Sequence, residues 1–195
     1  MKKAIFGFTV RDMTEIAMLC AVAVLLDVFV KIQIGATGGS LNIAMLPLFV
    51  IALRHGWFKG LISGGIVFGL ITCLIDDYGI ATYPLEYFVS FGAVAVLGVF
   101  GRSVNRSLIR GDAKKISLAY AITIACVAVA AVIRFFAASI DSVILWDYEW
   151  GAAFAYNAPY VFFSAIAVGV LLCLMLPTVK MLDNLYPTAY LKEEE

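Results

Sequence analysis

The chain has 195 residues, 63% of them hydrophobic and 14% charged, whereas a soluble domain carries roughly a quarter charged residues. Mean hydropathy is +0.98, which excludes an ordinary soluble domain and a disordered chain. Basic and acidic residues cancel at a net charge of zero, so the total points to no nucleic-acid partner.

In chain order, long apolar runs predict helices at about 12–33, 41–54, 57–75, 83–102, 116–139 and 151–179. Residues 1–195 then read as one all-α integral membrane domain, a polytopic six-helix bundle in the lipid bilayer. The second run is short for a hydrocarbon layer of about 30 Å, which implies a tilt or a partial crossing. The first run is longer than the apolar core of a signal peptide and lacks a cleavage site, so the first helix is expected to be retained. The breaks carry turn residues: "GATGGS", "RHGWFKG", "DDYG", "GRSVNRSLIRGDAKK" and "DYEWG". No phosphate-binding glycine loop is present, so ATP hydrolysis by this chain alone is excluded.

Basic residues fix an orientation. Lys2, Lys3, Arg11, Arg54, Lys59, Arg102, Arg106, Arg110, Lys114, Lys115, Lys180 and Lys192 all fall on one side if there are six spans. The opposite side holds Lys31 alone among basic residues, with Asp76, Asp77, Asp147 and Glu149. Both termini are therefore expected inside, N-in and C-in.

This direction assigns depth. Asp27, Glu86, Tyr87, Arg134, Asp141, Trp150, Tyr156, Asn157 and Tyr160 all fall towards the outer leaflet, with Trp146 in the loop before helix 6. The inner half is expected to be almost purely apolar. Trp and Tyr also serve as interfacial anchors, Asp27 could reach the surface, and Arg134 and Asp141 could form a structural ion pair two turns apart. Glu86 is harder to treat that way, because an ionisable group inside a span marks a functional site by default. A carboxylate among Trp and Tyr faces suits a small organic cation, and Asn157 and tyrosine hydroxyls offer hydrogen bonds. The four cysteines lack paired or metal-binding spacing, and His55 has no second histidine with which to hold a metal. Ala17 and Ala21 are four apart on helix 1, a spacing that lets another helix approach closely.

The pieces "TEIAMLCAVA", "GGSLNIAMLPLFVIALRHG", "LEYFVSFGAVAVLGVFGR", "FFAASIDSVILWDYEW" and "AYNAPY" resemble the substrate-binding S components of energy-coupling factor vitamin transporters, most closely their thiamine-specific family. The resemblance implies a six-helix bundle in the bacterial cytoplasmic membrane that captures thiamine from outside. It implies association with a transmembrane coupling subunit and two cytoplasmic ATPases, which use the ATP; the chain itself needs no cofactor. By the same resemblance Glu86 and Tyr87 face the ligand, Trp146 stacks on it and Asn157 bonds its pyrimidine. Ala17 and Ala21 meet the coupling subunit, and the "GATGGS" loop covers the site. Ala138 stands where the family carries a histidine, and a tryptophan of the first outer loop has no counterpart. Arg134 and Asp141 look like local substitutes.

Three alternatives stay open. One is an S component for another small ligand, such as a precursor pyrimidine or a different vitamin. Another is an intramembrane enzyme using Glu86 or Asp141 as acid or base. The last is a self-sufficient carrier, which would need a titratable residue in the inner half.

Overall fold

The structure, a computed structural model, describes residues 6–33 and 40–192. Helix α1 spans Val10–Phe29 and is followed by a two-stranded antiparallel hairpin, β1 Lys31–Gln33 and β2 Ser40–Asn42. Helix α2 is Met45–His55. Helices α3 (Trp57–Asp76), α4 (Ile80–Ile109), α5 (Ala113–Trp146) and α6 (Trp150–Leu185) are each long and apolar enough to cross a membrane. A short α7, Ala189–Lys192, follows.

Several expected boundaries move. The first helix stops at Phe29, so residues 31–33 are strand. The expected start of the second helix is also strand, and α2 begins only at Met45. Helix α5 runs on through Trp146, which is its last residue and not part of a loop. The turn that follows is made by Asp147, at φ 53°, in the left-handed region that aspartate tolerates better than most residues.

Every residue of α2 is buried. Its eleven residues rise about 16 Å, half the hydrocarbon thickness of a bilayer. The longer helices wrap it: α4 and α1 pack on its sides, with contributions from α3, α6 and α7. Helices α3 and α4 approach closely because of small residues. A Cβ at Gly64 would lie 2.4 Å from the Phe91 carbonyl oxygen, a distance no side chain tolerates. Both helices widen to π-helical turns where they meet, over Ile62–Phe68 in α3 and Tyr83–Val89 in α4. Wide turns of this kind occur mostly as single-turn insertions within α-helices, frequently at functional sites.

The starts of α1 and α3 and the ends of α2 and α6 converge at one end of the bundle. The expectation that the end of the bundle carrying the termini is almost purely apolar is overturned. Arg54 and Lys59 are fully buried there. Arg54 bonds Glu15 through Nε at 2.5 Å and Nη2 at 3.2 Å, and bonds Asp183 through Nη1. Lys59 Nζ donates to Asp12 Oδ2 at 2.8 Å. His55 lies between, its ring nitrogens 3.4 Å from Asp12 and 3.5 Å from Glu15. These basic groups read as loop charges in the sequence, yet the fold draws them inward. Asp12 also closes the α1 N-terminus: its backbone N–H donates to the Thr9 hydroxyl at 3.1 Å, and its carboxylate accepts from the Thr9 N–H at 3.2 Å. The segment after α6 seals this end. The Thr188 hydroxyl donates to the Arg54 carbonyl at 2.6 Å, and the Tyr190 hydroxyl donates to that of Gly98 at 2.9 Å.

Helix α1 presents a narrow inward stripe of Asp12, Ile16, Cys20, Ala23 and Asp27. The carboxylates at its two ends are both matched, Asp12 by Lys59 and Asp27 by the Asn42 amide at 2.8 Å. Asp27 is therefore a buried, hydrogen-bonded group and does not reach for the surface. Ala17 and Ala21 lie on the exposed face.

Removing one partner of a buried pair strands the other charge. Lys59→Met should lower unfolding free energy in detergent by about 3–5 kcal/mol. The double variant Lys59→Met with Asp12→Asn should recover much of that loss, because Asn keeps the cap without the charge.

Candidate functional site

The opposite end of the bundle holds a cavity of about 300 Å³. All the expected binding residues except Trp150 line it: Glu86, Tyr87, Arg134, Asp141, Trp146, Tyr156, Asn157 and Tyr160. Trp150 is more than half exposed and packs on Phe154 instead, with ring centroids 5.8 Å apart. It begins α6 on the face turned away from the cavity.

Helix α4 supplies Glu86 and Tyr87 from its π-helical turn. Tyr87 is buried, and its hydroxyl donates to Asp76 Oδ2 at 3.1 Å. Glu86 is half-buried against the cavity, and no protein hydrogen bond engages its carboxylate among the described residues. An unmatched carboxylate at this depth is a counter-charge available to a cation.

Helix α5 supplies Arg134, Asp141, Ser142 and Trp146. Arg134 and Asp141 do not form the ion pair that their spacing allowed. The Arg134 guanidinium lies 4.9 Å from the centre of the Phe91 ring, and its Nη1 approaches Met45 Sδ at 3.3 Å. Asp141 is buried, and its Oδ1 has no hydrogen-bond partner among the described residues. Trp146 is half exposed, edge-on to Tyr78 at 6.0 Å between ring centroids. Its ring is part of the cavity lining. Ala138, at the position of the family's histidine, is fully buried and does not line the cavity.

Helix α6 supplies Tyr156, Asn157 and Tyr160. The Asn157 side chain is locked by its neighbours. Its Nδ2 donates to Ser142 Oγ at 3.0 Å and the Ala153 carbonyl at 2.9 Å, and its Oδ1 accepts from the Tyr160 hydroxyl. One acceptor position on Oδ1 is left over. Tyr148, Tyr156 and Tyr160 form an edge-to-face row, with centroid separations of 6.0 and 5.8 Å.

Several lining residues had no clear signal in the sequence. Lys31, Ser40 and Asn42 come from the hairpin, Asp76 from the end of α3 and Tyr78 from the α3–α4 turn. Asn42 is held twice, by Asp27 and by the Ser164 hydroxyl, which accepts from its N–H at 3.1 Å. Residues 35–39 of the "GATGGS" loop lie outside the described residues; Ser40 lines the cavity. No cluster of His, Cys, Asp or Glu among the described residues could hold a metal ion.

Several membrane-length helices around a blind cavity, rich in aromatic rings and open carboxylates, define a membrane-embedded binding protein for a small solute. Residues 13–184 match the family described as thiamine transporter protein (Thia_YuaJ), and the chain belongs to that family. It is 29% identical over 176 residues to the thiamine transporter ThiT of Bacillus subtilis (strain 168), covering 84% of this chain and 89% of that one. Its fold matches a solved structure of ThiT from Listeria monocytogenes with a TM-score of 0.71 at 24% identity, over 87% of this chain and 96% of that one. The protein is thus a transport protein of the bacterial cell membrane and not an enzyme.

Tyr160→Phe removes the hydroxyl that satisfies Asn157 Oδ1. It should destabilise the protein by about 1–3 kcal/mol, read as a lowered midpoint of denaturant unfolding in detergent.

Proposed function

We propose that the chain is a thiamine-capturing S component of an energy-coupling factor importer. The observation that carries this reading is the Glu86 carboxylate, unpaired among the described residues at the wall of an aromatic-lined cavity in a chain of the thiamine transporter family. A thiazolium ring carries a delocalised positive charge, which a carboxylate and electron-rich ring faces both attract. Glu86 would supply the counter-charge. Trp146, with Tyr148 and Tyr156, would enclose the rings, and the spare acceptor on Asn157 Oδ1 would take a hydrogen from the pyrimidine amino group. Tyr87 would hold Asp76 beside the site. Arg134 and Asp141 would bond the remaining polar edge of the ligand.

The arrangement is that of a receptor. Capture would take place from outside, in a six-span topology with both termini in the cytoplasm. The gathering of buried and surface cations at the terminal end supports this orientation. Transport would require a membrane coupling subunit and two ATPases. The exposed Ala17 and Ala21 on α1, with Met13 and Met18 beside them, offer that subunit a close-packing face. A second reading, an S component for a related pyrimidine or another vitamin, draws on Ala138 in place of the histidine and on the guanidinium of Arg134 in the cavity wall.

Calorimetric titration of the detergent-purified protein with thiamine tests the reading. Saturable one-to-one binding without product formation is expected. Glu86→Gln should weaken binding about 10- to 100-fold, as loss of a charged contact does. Trp146→Ala should cost about tenfold from the lost ring contact. Absence of thiamine binding would favour the second reading, and unchanged affinity in both variants would remove these residues from the site.

A further inference from the structure

One basic side chain from the hairpin stands among the carboxylates of the cavity. Lys31 opens β1 and lines the cavity wall, with its Nζ 3.6 Å from Asp76 Oδ1. Asp76 ends α3, and the Tyr87 hydroxyl holds its other oxygen at 3.1 Å. The two side chains retain 30% and 25% exposure, so the pair is partly wet, and pairs of that kind are weak. Arg134, the other cation of the wall, is buried beneath Phe91 and Met45 and has no such freedom. Lys31 sits on a flexible four-carbon stem at the rim and can withdraw.

Asp76 lines the cavity with Lys31 Nζ 3.6 Å from its Oδ1. A positive charge that pairs with Asp76 therefore comes within about 8 Å of the lysine ammonium, close enough to repel it appreciably. A cationic solute must either displace Lys31 from Asp76 or bind against its charge. Both routes weaken binding relative to the same cavity without the lysine. A neutral solute of the same shape does neither.

We infer that Lys31 is a tethered competitor of the ligand's positive charge, a specificity-determining residue that holds Asp76 until a cation takes its place. This rests on the cationic-vitamin reading above. It makes Asp76 a second counter-charge beside Glu86. The opposite role, a latch in which Lys31 ties the hairpin to α3 over a bound ligand, predicts the opposite sign.

The test compares the wild-type protein with Lys31→Gln and Lys31→Arg. Each is titrated with thiamine and with an uncharged isostere whose thiazolium is replaced by a neutral aromatic ring. At low ionic strength, Lys31→Gln should bind thiamine about three- to tenfold more tightly, and Lys31→Arg should match the wild type. The isostere should bind all three alike, and the gain should shrink at about 1 M salt, where the screening length falls to about 3 Å. Unchanged or weaker thiamine binding by Lys31→Gln overturns the inference, as does an equal gain for the isostere. A wild-type protein that binds no thiamine overturns the vitamin reading and this inference with it. A wild type that binds, with a Lys31→Gln variant that does not gain, overturns the role of Lys31 alone.

Discussion

Burying the guanidinium of Arg54 and the ammonium of Lys59 is tolerable only because distant parts of the chain bring carboxylates to them. Glu15 and Asp12 arrive on α1, and Asp183 arrives at the end of α6. A lone charge in that position would cost several kcal/mol, so neither α2 nor α3 can take its place without the first and last long helices. The network thereby fixes which helices surround α2 and in what register. Thr188 and Tyr190 add neutral bonds that bring the C-terminal segment against the same end.

The other end is built around a cavity. Asn157 and Asn42 are tied down there by neighbouring side chains, whereas among the described residues Glu86 and one oxygen of Asp141 are not. The fixed groups give the cavity its shape and the open ones give it chemistry. Between the two ends lies α2, whose polar residues, Arg54 and His55, both fall in its last turn. A close-packed glycine contact at Gly64 draws α3 onto α4, which bears Glu86 and Tyr87.

The sequence made the membrane class and the long helices legible, because runs of apolar residues need no tertiary context to be recognised. It also marked Glu86, since a carboxylate inside a span has few structural explanations. The hairpin was not legible: three-residue strands carry no period, and the run "SLNIAML" reads as the start of a helix. The terminal-end network was misread for a related reason. Arg54 and Lys59 flank a turn and look like solvated loop charges; only their acidic partners 39, 47 and 129 residues away reveal the burial. Asp76 was hidden likewise in "DDYG", and what brings it to the site is the Tyr87 hydroxyl. Trp150 was drawn in by composition, but its position at the start of α6 turns it onto Phe154.

The shortness of α2 has a further meaning. A helix of full bilayer length at the centre would occupy the space where the cavity now lies, so the site exists because the central helix stops halfway. The remaining half is a plug of fully buried Leu48, Phe49, Ile51, Ala52 and Leu53, closed below by ion pairs. The void beside it, near Met45 and Phe49, holds only about 10 Å³, too little for more than a single water. A solute in the cavity is therefore at a dead end. The molecule is a cup with a thick base, and its contents can reach the far side of a membrane only if the cup itself changes orientation or its base is taken apart.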